Sequence, residues 1–216
     1  MRTETIAFGS TDGLTLEGRL ASPDDVSAAG GAVICHPHPQ YGGTMSSRLV
    51  PAMQRALVNA GWAALRFNFR GVGRSQGSFE GGEGEVADVL GAFEVVRQAQ
   101  DGPIAALGWS FGALIALNAT AKDGEVGSFT GVAPPARRAF TGQMVMPQIA
   151  DLDGWNARAL IVCGDNDPVC RPKDAEALAA QLPEPIEVRV IEGADHFFSE
   201  QEDELCSVVA AFVTGG

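Results

Sequence analysis

Residues 104 to 112, Ile-Ala-Ala-Leu-Gly-Trp-Ser-Phe-Gly, constrain this chain more than any other segment. A short apolar run stops at Gly108-Trp109-Ser110-Phe111-Gly112 and restarts as Ala113-Leu114-Ile115-Ala116-Leu117. An apolar strand that turns through Gly-x-Ser-x-Gly straight into an apolar helix holds the central serine on a sharp, strained bend that points into a cleft. The glycines relieve the crowding around that serine because they carry no Cβ. Such a bend needs a strand and a helix in immediate succession, and the rest of the chain supplies more of both.

The segments Thr5 to Phe8 and Leu14 to Leu20 alternate in polarity around the turn Ser10-Thr11-Asp12-Gly13, which predicts an antiparallel hairpin. Beyond the polar stretch Ser22 to Gly30, six further apolar segments predict strands: Ala32 to Cys35, Ala63 to Phe67, Ile104 to Leu107, Gly127 to Val132, Ala159 to Cys163 and Ile186 to Ile191. Helical patterns lie between them at Arg48 to Ala60, Glu83 to Ala99, Phe111 to Ala121, Pro172 to Gln181 and Glu202 to Val213. Continuous apolar strands belong to a sheet covered on both faces, and strand-helix alternation implies parallel pairing through crossover helices. The expectation is an α/β fold: a mostly parallel sheet of about eight strands, opened by the hairpin, with helices on both faces. Residues 1–216 read as a single domain, because the aperiodic stretch from Ala133 to Trp155 is too short for a separate cap. Ligands of such sheets bind at the carboxyl ends of the strands, so chemically equipped residues are sought just after each strand.

Composition narrows the function classes. The formal net charge of -12 disfavours phosphate backbones and anionic lipid surfaces, so neither nucleic acid nor membrane is expected as a partner. No apolar run reaches the ~20 residues of a membrane span, and Met1-Arg2-Thr3-Glu4-Thr5 does not begin a secretory signal, which points to a cytoplasmic location. Cys35, Cys163, Cys170 and Cys206 form no Cys-x-x-Cys pair and no metal-ligand spacing with histidine. Neither a metal nor a cofactor is expected.

A serine hydroxyl attacks only when a base takes its proton, and the usual base is a histidine oriented by a carboxylate. His196 follows the strand Ile186 to Ile191 by the turn Glu192-Gly193-Ala194-Asp195 and is the candidate base. The preceding strand ends in Cys163-Gly164-Asp165-Asn166-Asp167-Pro168-Val169, which offers two acids. Asp167 is preferred, since Asp165 lies in the tight turn where local hydrogen bonds occupy it, and Asp195 is too close in sequence to face His196. The backbone N–H of Phe111, after the nucleophile and at a helix start, is one candidate oxyanion donor. The second is expected after strand Ala32 to Cys35. Pro37 and Pro39 have no N–H, which leaves His38, Gln40 and Tyr41.

The order Ser110, Asp167, His196, each after its own strand, resembles the α/β-hydrolase superfamily. The segments His36-Pro37-His38-Pro39-Gln40-Tyr41-Gly42-Gly43-Thr44 and Arg66-Phe67-Asn68-Phe69-Arg70-Gly71-Val72-Gly73-Arg74-Ser75 further resemble a compact, lid-poor bacterial subgroup, similar to dienelactone hydrolases and small carboxylesterases. The likeness runs from about Thr3 to Val213 and is most specific in the His-Pro-His-Pro segment. It implies that Ser110, Asp167 and His196 are nucleophile, acid and base, and similarity to hydrolases with a His-Gly-x loop favours the His38 N–H as second oxyanion donor. It also implies that Arg70, Arg74 and Ser75 build a structural loop, with anion binding by the arginines as the alternative. Dienelactone hydrolases proper use cysteine where Ser110 stands, so their substrate does not carry over.

These readings predict a serine hydrolase acting on a small-molecule ester, a carboxylesterase for short acyl chains with an open site. Gln40, Tyr41 and Trp109 are candidate substrate contacts, and Met144, Val145, Met146 and Trp155 a candidate apolar wall. The same machinery serves thioesterases, peptidases and perhydrolases, and a non-catalytic ligand-binding protein is the alternative from another class. Neither monomer nor homodimer is favoured.

Overall fold

A computed structural model describes residues 1–24, 27–135, 152, 154–183 and 185–215. Strands β1 (Arg2–Gly9) and β2 (Thr15–Ser22) form the expected hairpin, with β1 longer at both ends than its apolar alternation suggests and β2 beginning one residue later and ending two residues later. Then follow β3 (Gly31–Cys35), α1 (Leu49–Asn59), β4 (Ala63–Phe67), α2 (Glu83–Ala99), β5 (Ile104–Trp109), α3 (Phe111–Asp123) and β6 (Val126–Val132). The chain closes with β7 (Arg158–Gly164), α4 (Pro172–Ala179), β8 (Ile186–Ile191) and α5 (Glu202–Thr214). The eight strands of the described residues join one sheet in the order β1-β2-β4-β3-β5-β6-β7-β8. From β4 to β8 every pairing is parallel, whereas β2 meets both β1 and β4 antiparallel.

The chain steps from β3 to β4 in one direction along the sheet, then returns past β3 to form β5. Right-handed crossovers therefore put α1 and α2 on opposite faces. The steps β5 to β6 and β7 to β8 continue in the second direction, so α3 and α4 share the face of α2, and α3 packs on α2 while α5 packs on α1. The strand order reverses between β3 and β5, where loops leaving the carboxyl ends of neighbouring strands diverge and leave a crevice. Cys35 of β3 lies beside Gly108 of β5, so the loops after both strands open on that crevice.

Strands β3, β4 and β5 are buried at every position, as sheet centres covered on two faces must be. Helix α3 is buried from Phe111 to Ala121, which accounts for its apolar surface all round, and it ends at Gly124 in the left-handed region. Trp155 is half-buried and packs against this core, and it is not among the residues that line the cleft at Ser110. Its indole N–H donates to the Ala157 carbonyl at 2.7 Å and its ring lies edge-on to Phe129 of β6. The structure thus does not bring Trp155 to the wall expected of it, while Met144, Val145 and Met146 lie outside the described residues.

Candidate active site

The bend after β5 brings the backbone of Ser110 to φ 56° and ψ -123°, a region that costs a non-glycine residue on the order of 1–3 kcal/mol. The surroundings hold it there. The Ser110 N–H donates to the Val132 carbonyl at 2.8 Å, and its own carbonyl accepts from Ala113 at 2.9 Å. The two flanking glycines are required by close approach. A Cβ on Gly108 would stand 2.1 Å from the Gly112 carbonyl oxygen, and one on Gly112 would stand 2.5 Å from the carbonyl oxygens of Cys35 and His36.

Three side chains from three strand ends meet at this bend. The Ser110 hydroxyl lies 3.1 Å from His196 Nε2, and His196 Nδ1 lies 2.8 Å from Asp167 Oδ2. Asp167 is buried, and its second oxygen accepts the N–H groups of Val169 at 2.6 Å and Cys170 at 3.0 Å. Those bonds fix the carboxylate, which in turn holds the proton on Nδ1 and leaves the Nε2 lone pair facing the serine. Asp165 is engaged elsewhere, accepting from the Gly193 N–H at 2.7 Å and tying the β7 loop to the β8 loop rather than closing a local turn. Asp195 turns away from the imidazole and accepts from the N–H groups of Phe197 and Ser199 and from the Ser199 hydroxyl.

Ser110 opens on a cleft of about 520 Å³, within the range of small-molecule sites. His38, Tyr41, Arg48, Trp109, Phe111 and Phe197 line it together with His196. Tyr41 and Trp109 thus border the cleft as the sequence suggests, whereas the exposed Gln40 is not part of its wall. Trp109 is nearly buried, and its indole N–H donates to the His196 carbonyl at 3.1 Å, so it braces the histidine as well.

A family model described as the alpha/beta hydrolase fold matches residues 33–159, which span β3 to the start of β7 and include the Ser110 bend. The chain belongs to the alpha/beta hydrolase family. It is 34% identical over 213 residues to an uncharacterised protein of Rickettsia prowazekii, covering 94% of this chain and 86% of that one. A solved structure described as an alpha-beta serine hydrolase homologue from Coxiella burnetii is 32% identical, with a TM-score of 0.82 over 99% of this chain and 98% of that one. A serine hydrolase without a lid from Xanthomonas campestris is 28% identical, also with a TM-score of 0.82, over 99% and 94% of the two chains. The chain is therefore a hydrolase of the compact subgroup that its sequence resembles.

In this alpha/beta hydrolase the His-Pro-His-Pro loop is built by its histidines. His36 is buried, accepts the Phe69 N–H on Nε2 at 3.1 Å, and lies 2.6 Å from the Pro37 carbonyl through Nδ1. Burial pushes its pKa down to about 4, so it works as a neutral peg between the end of β3 and the segment after β4. His38 Nδ1 accepts the Gln40 N–H at 3.2 Å, and the His38 carbonyl accepts from Tyr41 and Gly43, closing a 3-10 turn at Pro39–Tyr41 that the sequence did not reveal. Among the described residues no group of three or more His, Cys, Asp or Glu is arranged to hold a metal ion, and no helix is long and apolar enough to cross a membrane.

The second motif segment is structural where Arg70 is concerned. Its guanidinium is 1% exposed and bonded to Asp88, Asp12 and Glu80, which leaves it no face for a ligand anion. Ser75 donates to the Asn68 carbonyl at 2.6 Å, and the Arg74 N–H donates to Glu17 at 2.7 Å. Arg48 and Phe197 are among the cleft residues that sequence reasoning missed. Arg48 makes its contacts far away in the chain, with Glu202 and with the carbonyls of Phe197 and Phe198. Phe197 left one signal, as the first of two adjacent phenylalanines flanked by the polar pairs Asp195-His196 and Ser199-Glu200.

Proposed function

We propose that this hydrolase is a serine carboxylesterase that cleaves short-chain, uncharged carboxylic esters through Ser110, His196 and Asp167. The observation that carries the reading is the hydrogen-bonded row from Asp167 through His196 to Ser110, opening on a largely apolar cleft. His196 Nε2 takes the hydroxyl proton as Ser110 Oγ attacks the ester carbonyl. Asp167 stays ionised and stabilises the imidazolium. The tetrahedral oxyanion sits against the N–H of Phe111, which as the first residue of α3 has no intrahelical acceptor. The N–H of His38 is the partner donor we assign. His38 follows β3 and borders the cleft, and similarity to hydrolases with a His-Gly-x loop at this place favours it. The imidazolium returns its proton to the departing alcohol, and water repeats the sequence on the acyl-enzyme.

The charge of the cleft supports neutral substrates. Among the described residues that line it Arg48 is the one Lys or Arg, and it is occupied by Glu202 and two backbone carbonyls. Hydrolysis rates for matched acetyl, butyryl and octanoyl esters, thioesters and anilides test the reading. The oxygen esters are expected to turn over fastest, with a steep decline toward octanoyl. A thioester or anilide that outpaces its ester counterpart would assign the site to a different hydrolase.

A further inference from the structure

We infer that the cleft selects esters carrying an aromatic ring, held between Tyr41 and Phe197. The inference rests on the proposed esterase activity and specifies its substrate. Among the described residues the exposed large hydrophobic side chains are Met1, Tyr41, Val190 and Phe197. Met1 is a chain end and Val190 lies on the edge strand β8. The other two are aromatic, 61% and 56% exposed, and both border Ser110. Leaving two aromatic faces in water costs free energy that a bound apolar group would recover, so exposed rings concentrated at one cleft mark a binding surface.

Their mounting favours a flat partner over a flexible chain. Tyr41 follows β3 and Phe197 follows β8, strands on opposite sides of β5 in the sheet, so the rings reach the cleft from both sides of the serine. Each is fixed edge-on by neighbours. Tyr41 packs on His38 at 5.1 Å, and His38 on Phe111 at 4.7 Å and Phe79 at 4.9 Å. Phe197 packs on His196 at 5.5 Å and Trp109 at 5.8 Å. Two propped rings present π faces and edges of the kind that a third ring pairs with, whereas an alkyl chain gains only area from them.

The test compares esters that differ only in ring saturation. Methyl 3-phenylpropanoate against methyl 3-cyclohexylpropanoate probes a ring on the acyl side, and phenylmethyl acetate against cyclohexylmethyl acetate a ring on the alcohol side. In at least one pair kcat/KM is expected to favour the aromatic member about fivefold or more, from aromatic pairing of roughly 2- to 10-fold per ring. Tyr41→Leu and Phe197→Leu, which keep apolar volume, are each expected to bring that ratio toward one. Wild-type ratios near one in both pairs would overturn the inference, as would a preference that survives both substitutions. The saturated esters separate this from the parent reading: their hydrolysis with ratios near one sinks ring selection alone, whereas failure to hydrolyse any of the four esters sinks the esterase.

Discussion

Arg48 Nη2 donates to the carbonyl of Phe198 at 3.0 Å, joining residues 150 positions apart. Arg48 stands at the start of α1, and Phe198 lies two residues beyond His196 with its backbone at φ 50°, a strained position for a bulky side chain. The same guanidinium holds the Phe197 carbonyl and Glu202 of α5. The turn that carries His196 is thus clamped by a residue at the start of α1.

Removing that clamp is expected to cost turnover. Arg48→Met should lower kcat by about tenfold, because small displacements of a catalytic group cost one to two orders of magnitude. Arg48→Lys should restore only part of the loss, since a single ammonium cannot fork between Glu202 and the carbonyls. Steady-state kinetics on a short ester checks both, and wild-type kcat in Arg48→Met would refute the clamp.

The two loop acids are expected to separate cleanly. Asp167→Asn removes the group that fixes the His196 tautomer and should reduce kcat by about four orders of magnitude. Asp165→Asn keeps an oxygen for the Gly193 N–H and should change kcat less than about threefold. Comparable losses in the two variants would mean that the acid is misassigned.

How much of this was legible in the sequence follows from how local each signal is. The Ser110 bend, its apolar flanks and the strand-by-strand placement of Asp167 and His196 are written in consecutive residues, and the helices α2 and α3 begin where the pattern says. The position of β4 between β2 and β3 is not local, because it depends on crossover direction and handedness. The turn at Pro39–Tyr41 is too short to show a period. Trp155 sits in an aperiodic stretch whose sequence carries no sign of its packing against Phe129. Arg48 could not be read at all, since its partners lie 149 to 154 residues away.

His36 should make stability pH-dependent. Unfolded, it takes up a proton near its ordinary value of about 6.5, whereas in the fold burial delays protonation to about 4. The unfolded state therefore binds more protons between these values, and stability is lost as pH falls through that window, by about 3 kcal/mol in full. Urea unfolding of the wild type and His36→Leu at pH 7 and pH 4.5 isolates the effect as a difference. Equal pH dependence in the two proteins would contradict a buried neutral His36.

The central claim is that Ser110 is a nucleophile activated by His196 and Asp167. Intact-mass and peptide mapping after treatment with a serine-directed fluorophosphonate addresses it most directly. One adduct is expected, on Ser110, formed quickly by the wild type, absent in Ser110→Ala and slowed by orders of magnitude in His196→Ala. An unlabelled Ser110, or equal labelling rates in the wild type and His196→Ala, would contradict it.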